Sequence, residues 1–116
     1  MRAFSLLAFL LPLVAAREHR QCACRSWSND QDGWSLDRDL TQTVCKKDFY
    51  DVAKWDDSTG RCIVFPERKI DGDLWEGNCI QIGQVNGFRS FTSAGDLDMT
   101  SPIKHVIHAV GDCFHS

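Results

Sequence analysis

The longest uninterrupted apolar stretch of the chain lies at its start, in MRAFSLLAFLLPLVAA, and everything after it alternates short apolar groups with polar, turn-forming residues. Arg2 supplies a positive charge, Phe4 to Val14 an apolar run broken by Ser5 and Pro12, and Val14-Ala15-Ala16 a small-residue cleavage pattern. These three parts, in this order, predict a signal peptide over residues 1–16, cleaved after Ala16. A membrane-spanning helix needs ~20 apolar residues, more than this run contains, so no membrane span is expected. Residues 17–116 then form one secreted domain.

Within that domain the patterning predicts short elements. If residues 22 to 28 form a strand, Cys22 and Cys24 point to one face. The polar run from Trp27 to Arg38, with Asp32-Gly33 at its centre, predicts an exposed loop. Asp39 and Gln42 have the spacing of a capping box, and Val44, Cys45, Phe49, Val52 and Trp55 fall on one broad helical face, predicting a helix over Leu40 to Lys54. Asp56-Asp57-Ser58-Thr59-Gly60 predicts a turn, and Cys62 to Phe65 a short strand before Pro66. Asp71-Gly72-Asp73 opens a second predicted helix carrying Leu74, Trp75, Cys79, Ile80 and Ile82, weakened by Gly77 and Gly83. Asn86-Gly87 predicts a turn before a strand at Phe88 to Thr92, followed by a polar loop over Ser93 to Ser101.

Pro102 to Val110 fits two templates. Its Ile and Val content favours a strand, whereas Ile103, Val106, Ile107 and Val110 have helical spacing, with Ser101 as cap and Gly111 after the end. Either assignment gives an α+β fold: a small two-layer domain of two or three helices packed on a short antiparallel sheet.

Six cysteines change the picture from patterning to covalent chemistry: Cys22, Cys24, Cys45, Cys62, Cys79 and Cys113. Their even number behind a signal peptide predicts three disulfides, each stabilising by about 3 to 4 kcal/mol if it closes a loop of tens of residues. Excluding a strained bond between Cys22 and Cys24 leaves twelve of the fifteen possible pairings open. Zinc is the poorer reading, because four of the six stand alone instead of in closely spaced knuckles. Cys45, Cys62 and Cys79 are evenly spaced, but their flanking residues do not repeat.

The order of these features resembles the small secreted cysteine-rich proteins of fungi, some of them candidate effectors. Cys-x-Cys follows a signal peptide, a Thr-led helix carries Cys45, Cys62 stands on a strand, and Trp75-Glu76 precede Cys79 in a helix opened by Asp71-Gly72. A subset of these proteins resembles the α/β-sandwich killer toxins of smut fungi. Such relatives often carry adjacent cysteine pairs in both helices; Val44 and Asn78 occupy those places here. The resemblance covers most of Gln21 to Gly83 and implies action on a host or competing organism, with an extracellular or host protein or a glycan as partner.

Charge narrows the partners further. The chain has 13 Lys plus Arg against 16 Asp plus Glu, a net charge of −3, and loss of Arg2 makes the secreted part more acidic. No basic footprint for nucleic acid is present, so none is expected as partner. Arg17, Arg20 and Arg25, and Arg61, Arg68 and Lys69, form local clusters with acidic neighbours and read as solvated surface. No Asn-x-Ser/Thr acceptor occurs.

Candidate chemistry is sparse. Ser28 to Gly33 approaches a calcium loop, but Ser28, Ser35 and Asp39 stand where Asp, an apolar residue and Glu are required. In a helix His105 and His108 would share the polar face, with Asp112 one turn after His108 and His115 close by, as a weak zinc or copper site; in a strand the two imidazoles would point to opposite faces. A ribonuclease-like hydrolase would draw on His105 or His108, Glu67 or Glu76, and Arg68, with no spacing that fixes their geometry. With every cysteine bridged and no nucleophile elbow, the domain is read as a monomeric, non-enzymatic interaction protein without cofactor or metal. Trp55 and Trp75 are expected in the core. Trp27 and Trp34, in the polar loop, are either core-capping or a recognition patch for a protein or a sugar ring.

Overall fold

The alternation of Gln21 to Ser28 forms the longest strand, β1, and the rest of the fold is arranged around it. The computed structural model describes residues 20–28 and 33–114. The expected signal peptide (residues 1–16), the centre of the calcium-like loop and His115 lie outside the described residues. After β1 come β2 (Gly33–Leu36), α1 (Arg38–Asp48), β3 (Ala53–Asp56), β4 (Arg61–Val64), α2 (Gly72–Ile80), a π-helical segment (Gln81–Asn86) and β5 (His108–Phe114). Among the described residues this makes a five-stranded antiparallel sheet with two α-helices and three disulfides.

β5 pairs with β1 from Gln21↔Phe114 to Trp27↔His108 and fills one edge of it. β4 and β2 share the other edge end to end, β4 at Gln21 and Cys22 and β2 at Arg25 to Ser28. β3 lies outside β4, with Trp55 opposite Cys62. Between β4 and β2, Cys24 has no strand partner on that edge of β1, and the start of α1 supplies one. The Cys24 amide donates to Thr41 Oγ1 at 2.9 Å, and the Asp37 amide donates to the Cys24 carbonyl at 3.0 Å. The free edge of β5 is capped by side chains, since the Ala109 amide donates to Gln84 Oε1 and the Gly111 amide to Glu76 Oε2. Such capping leaves fewer open groups for edge-to-edge association.

The helices lie on one side of the sheet. The core between the layers contains Leu40, Val44 and Phe49 from the first half, Val64, Ile70 and Trp75 from the middle, and Ile82, Phe88 and Ala109 beyond. Trp75 is fully buried, its ring 5.2 Å from that of Phe49 and its Nε1 donating to the Ala23 carbonyl at 2.9 Å. A buried indole N–H without such an acceptor would cost about 1–3 kcal/mol. Cys22 to Cys113 crosslinks the paired strands β1 and β5 within the sheet, whereas Cys24 to Cys79 joins β1 to α2 and Cys45 to Cys62 joins α1 to β4.

Several local expectations are corrected by tertiary pairing. The first helix stops at Asp48, and Val52 and Trp55 belong to a turn and to β3, because the Asp57 to Gly60 turn folds β3 back onto β4. Asp37, not Asp39, is the N-cap: its Oδ1 accepts the Leu40 amide at 3.0 Å, while Asp39 pairs with Lys104 at 2.8 Å and Gln42 is buried. The polar stretch after Trp27 contributes β2, where only a loop is expected. Phe88 to Thr92 makes only isolated bridges, Phe88↔Lys104 and Phe91↔Leu97. Pro102 to Val110 is neither a single helix nor a single strand; it is irregular to Ile107 and enters β5 at His108. Cys62 to Val64, and the second helix with Asp71 as its N-cap, form as patterned.

Candidate functional site

Strand periodicity sorts β1 into two sets. Cys22, Cys24 and Ser26 point toward the helices and are buried, so Gln21, Ala23, Arg25 and Trp27 belong to the opposite face. The registers extend that outer face to Trp34 and Leu36 on β2, Arg61 and Ile63 on β4, and His108, Val110, Asp112 and Phe114 on β5. Both described α-helices pack on the other side. This outer face is the one broad surface of the sheet that no helix covers among the described residues.

At its centre Ala23, Arg25, Leu36, Arg61, Asp112 and Phe114 line an open groove of about 320 Å³. The small side chain of Ala23 forms the low point, where β2 and β4 diverge. Arg25 Nε is 2.6 Å from Asp112 Oδ2. The Arg61 guanidinium lies over the Phe114 ring at 4.5 Å and donates from Nη1 to Gln21 Oε1 at 3.0 Å. Each guanidinium is therefore oriented by a neighbour while part of it still faces solvent. Gly60 lies in the turn before β4 and packs against the Leu36 and Arg38 side chains. Its φ of +74° suits glycine, and a Cβ there would meet Arg38 Nη1 at 2.6 Å and Leu36 Cδ2 at 3.2 Å.

Trp27 and Trp34 face each other across β1 and β2, one step along the strands from the Arg25↔Leu36 pair. Their rings meet edge to face, with centroids 5.8 Å apart and planes at 74°. Such a pair contributes about 0.5–1.5 kcal/mol beyond burial, so it holds both rings in place. Trp34 remains 44% exposed. Trp55, by contrast, is half-buried on the helix side beneath the Arg38 guanidinium, and Trp75 is in the core.

The other candidates are not gathered into one place. His105 lies in the irregular segment before β5, His108 at the start of β5, Glu67 and Arg68 in the turn after β4, and Glu76 on α2. Among the described residues no hydrogen bond or ion pair joins any two of them, and no group of three His, Cys, Asp or Glu is placed to hold a metal ion. No described helix is long and apolar enough to cross a membrane. Two carboxylates have perturbed acidity, Asp56 at the end of β3 and Asp98 in the irregular segment before β5. Hydrogen bonds from Thr59 and then Ser58 hold Asp56 below the usual carboxylate range, and Thr100 does the same for Asp98.

Sequence reasoning found the two tryptophans of this face and missed the groove beside them. Arg25 and Arg61 are far apart in the chain and read as separate solvated clusters. The available signal was the alternation itself: once Cys22 and Cys24 point inward, Ala23, Arg25 and Trp27 must share the outer face. Compared with known proteins, the chain matches no family model, no curated protein and no solved structure.

Proposed function

We propose that this is a secreted, effector-like or toxin-like interaction protein that acts outside the producing cell without catalysis, using the outer face of its sheet. One observation carries the reading: the Trp27 and Trp34 rings lie together beside a groove on a sheet face that neither helix covers. Aromatic anchors held by their neighbours are what a recognition surface requires, because little side-chain entropy is lost on binding. Three disulfides in a small domain, typical of extracellular proteins, support the compartment. The cysteine order that resembles fungal secreted effectors, and the killer-toxin-like subset among them, supports the class. In this reading residues 1–16 direct export, and the mature monomer meets an extracellular or host protein or a glycan.

The test has two arms. Labelled protein from culture medium is incubated with intact target cells and walls, and the retained fraction is compared with that of Trp34→Ala; the substitution lowers retention at least about tenfold while the circular dichroism is unchanged. In parallel, incubation with total RNA and with wall polysaccharides yields no cleavage products. Equal retention of the variant, or products above those of a blank, overturns the reading.

A further inference from the structure

We infer that the bridge from Cys22 to Cys113 is a thiol-exchange site, opened ahead of the other two by a small thiol of the glutathione kind, and that its opening releases the β5 wall of the outer groove. Five of the six cysteines are at most 1% exposed, whereas Cys113 is half-buried at the margin of the core. A thiolate breaks a disulfide by attacking one of its sulfurs, so access helps decide which bridge exchanges first. Cys24 to Cys79 and Cys45 to Cys62 are shielded at both ends, and only Cys22 to Cys113 has a residue that solvent reaches. In the exchange the external thiolate bonds to the Cys113 sulfur, the S–S bond breaks, and its electron pair leaves on Cys22, which takes up a proton. A second thiol attacks the mixed disulfide and frees Cys113. Two small thiols are thereby oxidised to one disulfide, and the bridge gains two electrons and two protons.

The place of the pair in the sheet keeps the consequence local. Cys22 and Cys113 are directly opposite on β1 and β5 with Cα atoms 4.1 Å apart, the close spacing of an antiparallel pair that exchanges no ladder hydrogen bonds. Neighbouring pairs carry those bonds, so the two strands stay paired when the bridge opens. The other two disulfides still tie α2 and α1 to the sheet. On the free edge of β5, Gln84 and Glu76 hold the Ala109 and Gly111 amides, and among the described residues no side chain does the same beyond Gly111. Loosening is therefore confined to the end of the strand. There Cys113 stands between Asp112 and Phe114, which both line the groove. Asp112 pairs with Arg25, and the Arg61 guanidinium lies over Phe114. With the bridge closed these contacts are fixed; with it open the wall frays and both guanidiniums lose their partners.

The experiment exposes the disulfide-intact protein to graded reduced glutathione, traps the thiols by alkylation and locates them by peptide mapping. Cys22 and Cys113 are labelled at least about tenfold faster than the other four cysteines, and the trapped mixed disulfide is on Cys113. A double variant, Cys22→Ala with Cys113→Ser, represents the open form without a capping group. In it, amide exchange beyond Gly111 quickens about tenfold or more and the Arg25 and Arg61 side-chain resonances shift, while the Trp75 indole signal stays in place. First labelling at Cys24, Cys45, Cys62 or Cys79, or equal labelling of all six, overturns the inference. Unmoved Arg25 and Arg61 signals in the double variant overturn it too, as does loss of the Trp75 signal in both the variant and the glutathione-opened protein. Every readout is made on the protein alone, so each of these failures is distinguishable from failure of the interaction-face reading.

Discussion

Thr41 Oγ1 accepts the Cys24 amide at 2.9 Å and donates its own proton to the Asp37 carbonyl at 2.7 Å, so a helical hydroxyl occupies the place of a missing strand. The contact explains how β2 and β4 can part, opening the outer groove, without leaving Cys24 unpaired. Asp37 completes the arrangement by accepting the Ser26 hydroxyl at 2.8 Å on its second carboxylate oxygen. Thr41→Val keeps the shape and removes both hydrogen bonds, leaving a buried amide unsatisfied. Stability in urea falls by about 1–3 kcal/mol with an unchanged slope, and Thr41→Ser recovers most of it. A loss below ~0.5 kcal/mol means that the amide finds another partner.

Two glycines give opposite signs for the same substitution. A Cβ on Gly111 would lie 2.6 Å from Glu76 Cα and 2.7 Å from Trp75 Cδ1, so Gly111→Ala pushes α2 away from β5 and costs about 1–3 kcal/mol. Gly77 sits within α2 with open space around it, and Gly77→Ala stabilises by about 0.5–1 kcal/mol. Thermal melts of both variants check this, and equal signs contradict the close packing of α2 on β5.

Glu67 has a φ of 65°, unfavourable for a residue with a Cβ, in the turn where the Arg68 amide donates to the Phe65 carbonyl. Arg20 clamps that turn from outside, its Nη2 donating to the Arg68 carbonyl at 2.7 Å. Glu67→Gly relieves the left-handed penalty and gains about 0.5–1 kcal/mol after its greater unfolded-state freedom is counted. A destabilised variant shows that the carboxylate itself holds the turn.

Asp56 is held below the usual carboxylate range first by the Thr59 hydroxyl and then by Ser58. A depressed folded value adds stability that is present above the unfolded value of ~3.9 and is lost as pH falls through the lower folded one. Thr59→Val therefore raises the Asp56 titration midpoint and diminishes stability only above that acid window. Carboxyl-carbon NMR reads the shift, with Asp98, held by Thr100, as the unmoved control. A midpoint unaltered in the variant contradicts the assignment.

Where local chemistry decides, the sequence was readable. Asp71-Gly72 caps α2, and the β-branched run after Cys62 becomes β4, because neither depends on distant residues. Where pairing across the chain decides, it was not. Val52 and Trp55 continue a helical spacing by coincidence, and only the return of β4 shows them to be a turn residue and a strand residue. Gly33 to Leu36 looks like part of a polar loop until Trp34 meets Trp27 across β1. The groove was the least legible feature. Its walls come from β1, β2, β4 and β5, and Arg61 and Phe114 are far from Arg25 in sequence.

Two bridges tie the sheet to the helices and the third, Cys22 to Cys113, crosslinks β1 and β5 on the helix side, so all three leave the outer face open. Peptide mapping of the unreduced protein tests this directly. The expected crosslinked peptides join Cys22 to Cys113, Cys24 to Cys79 and Cys45 to Cys62, with no free thiol. A bridge from Cys22 to Cys62, its neighbour across β1 and β4, or from Cys24 to Cys113, would contradict the arrangement and with it the groove.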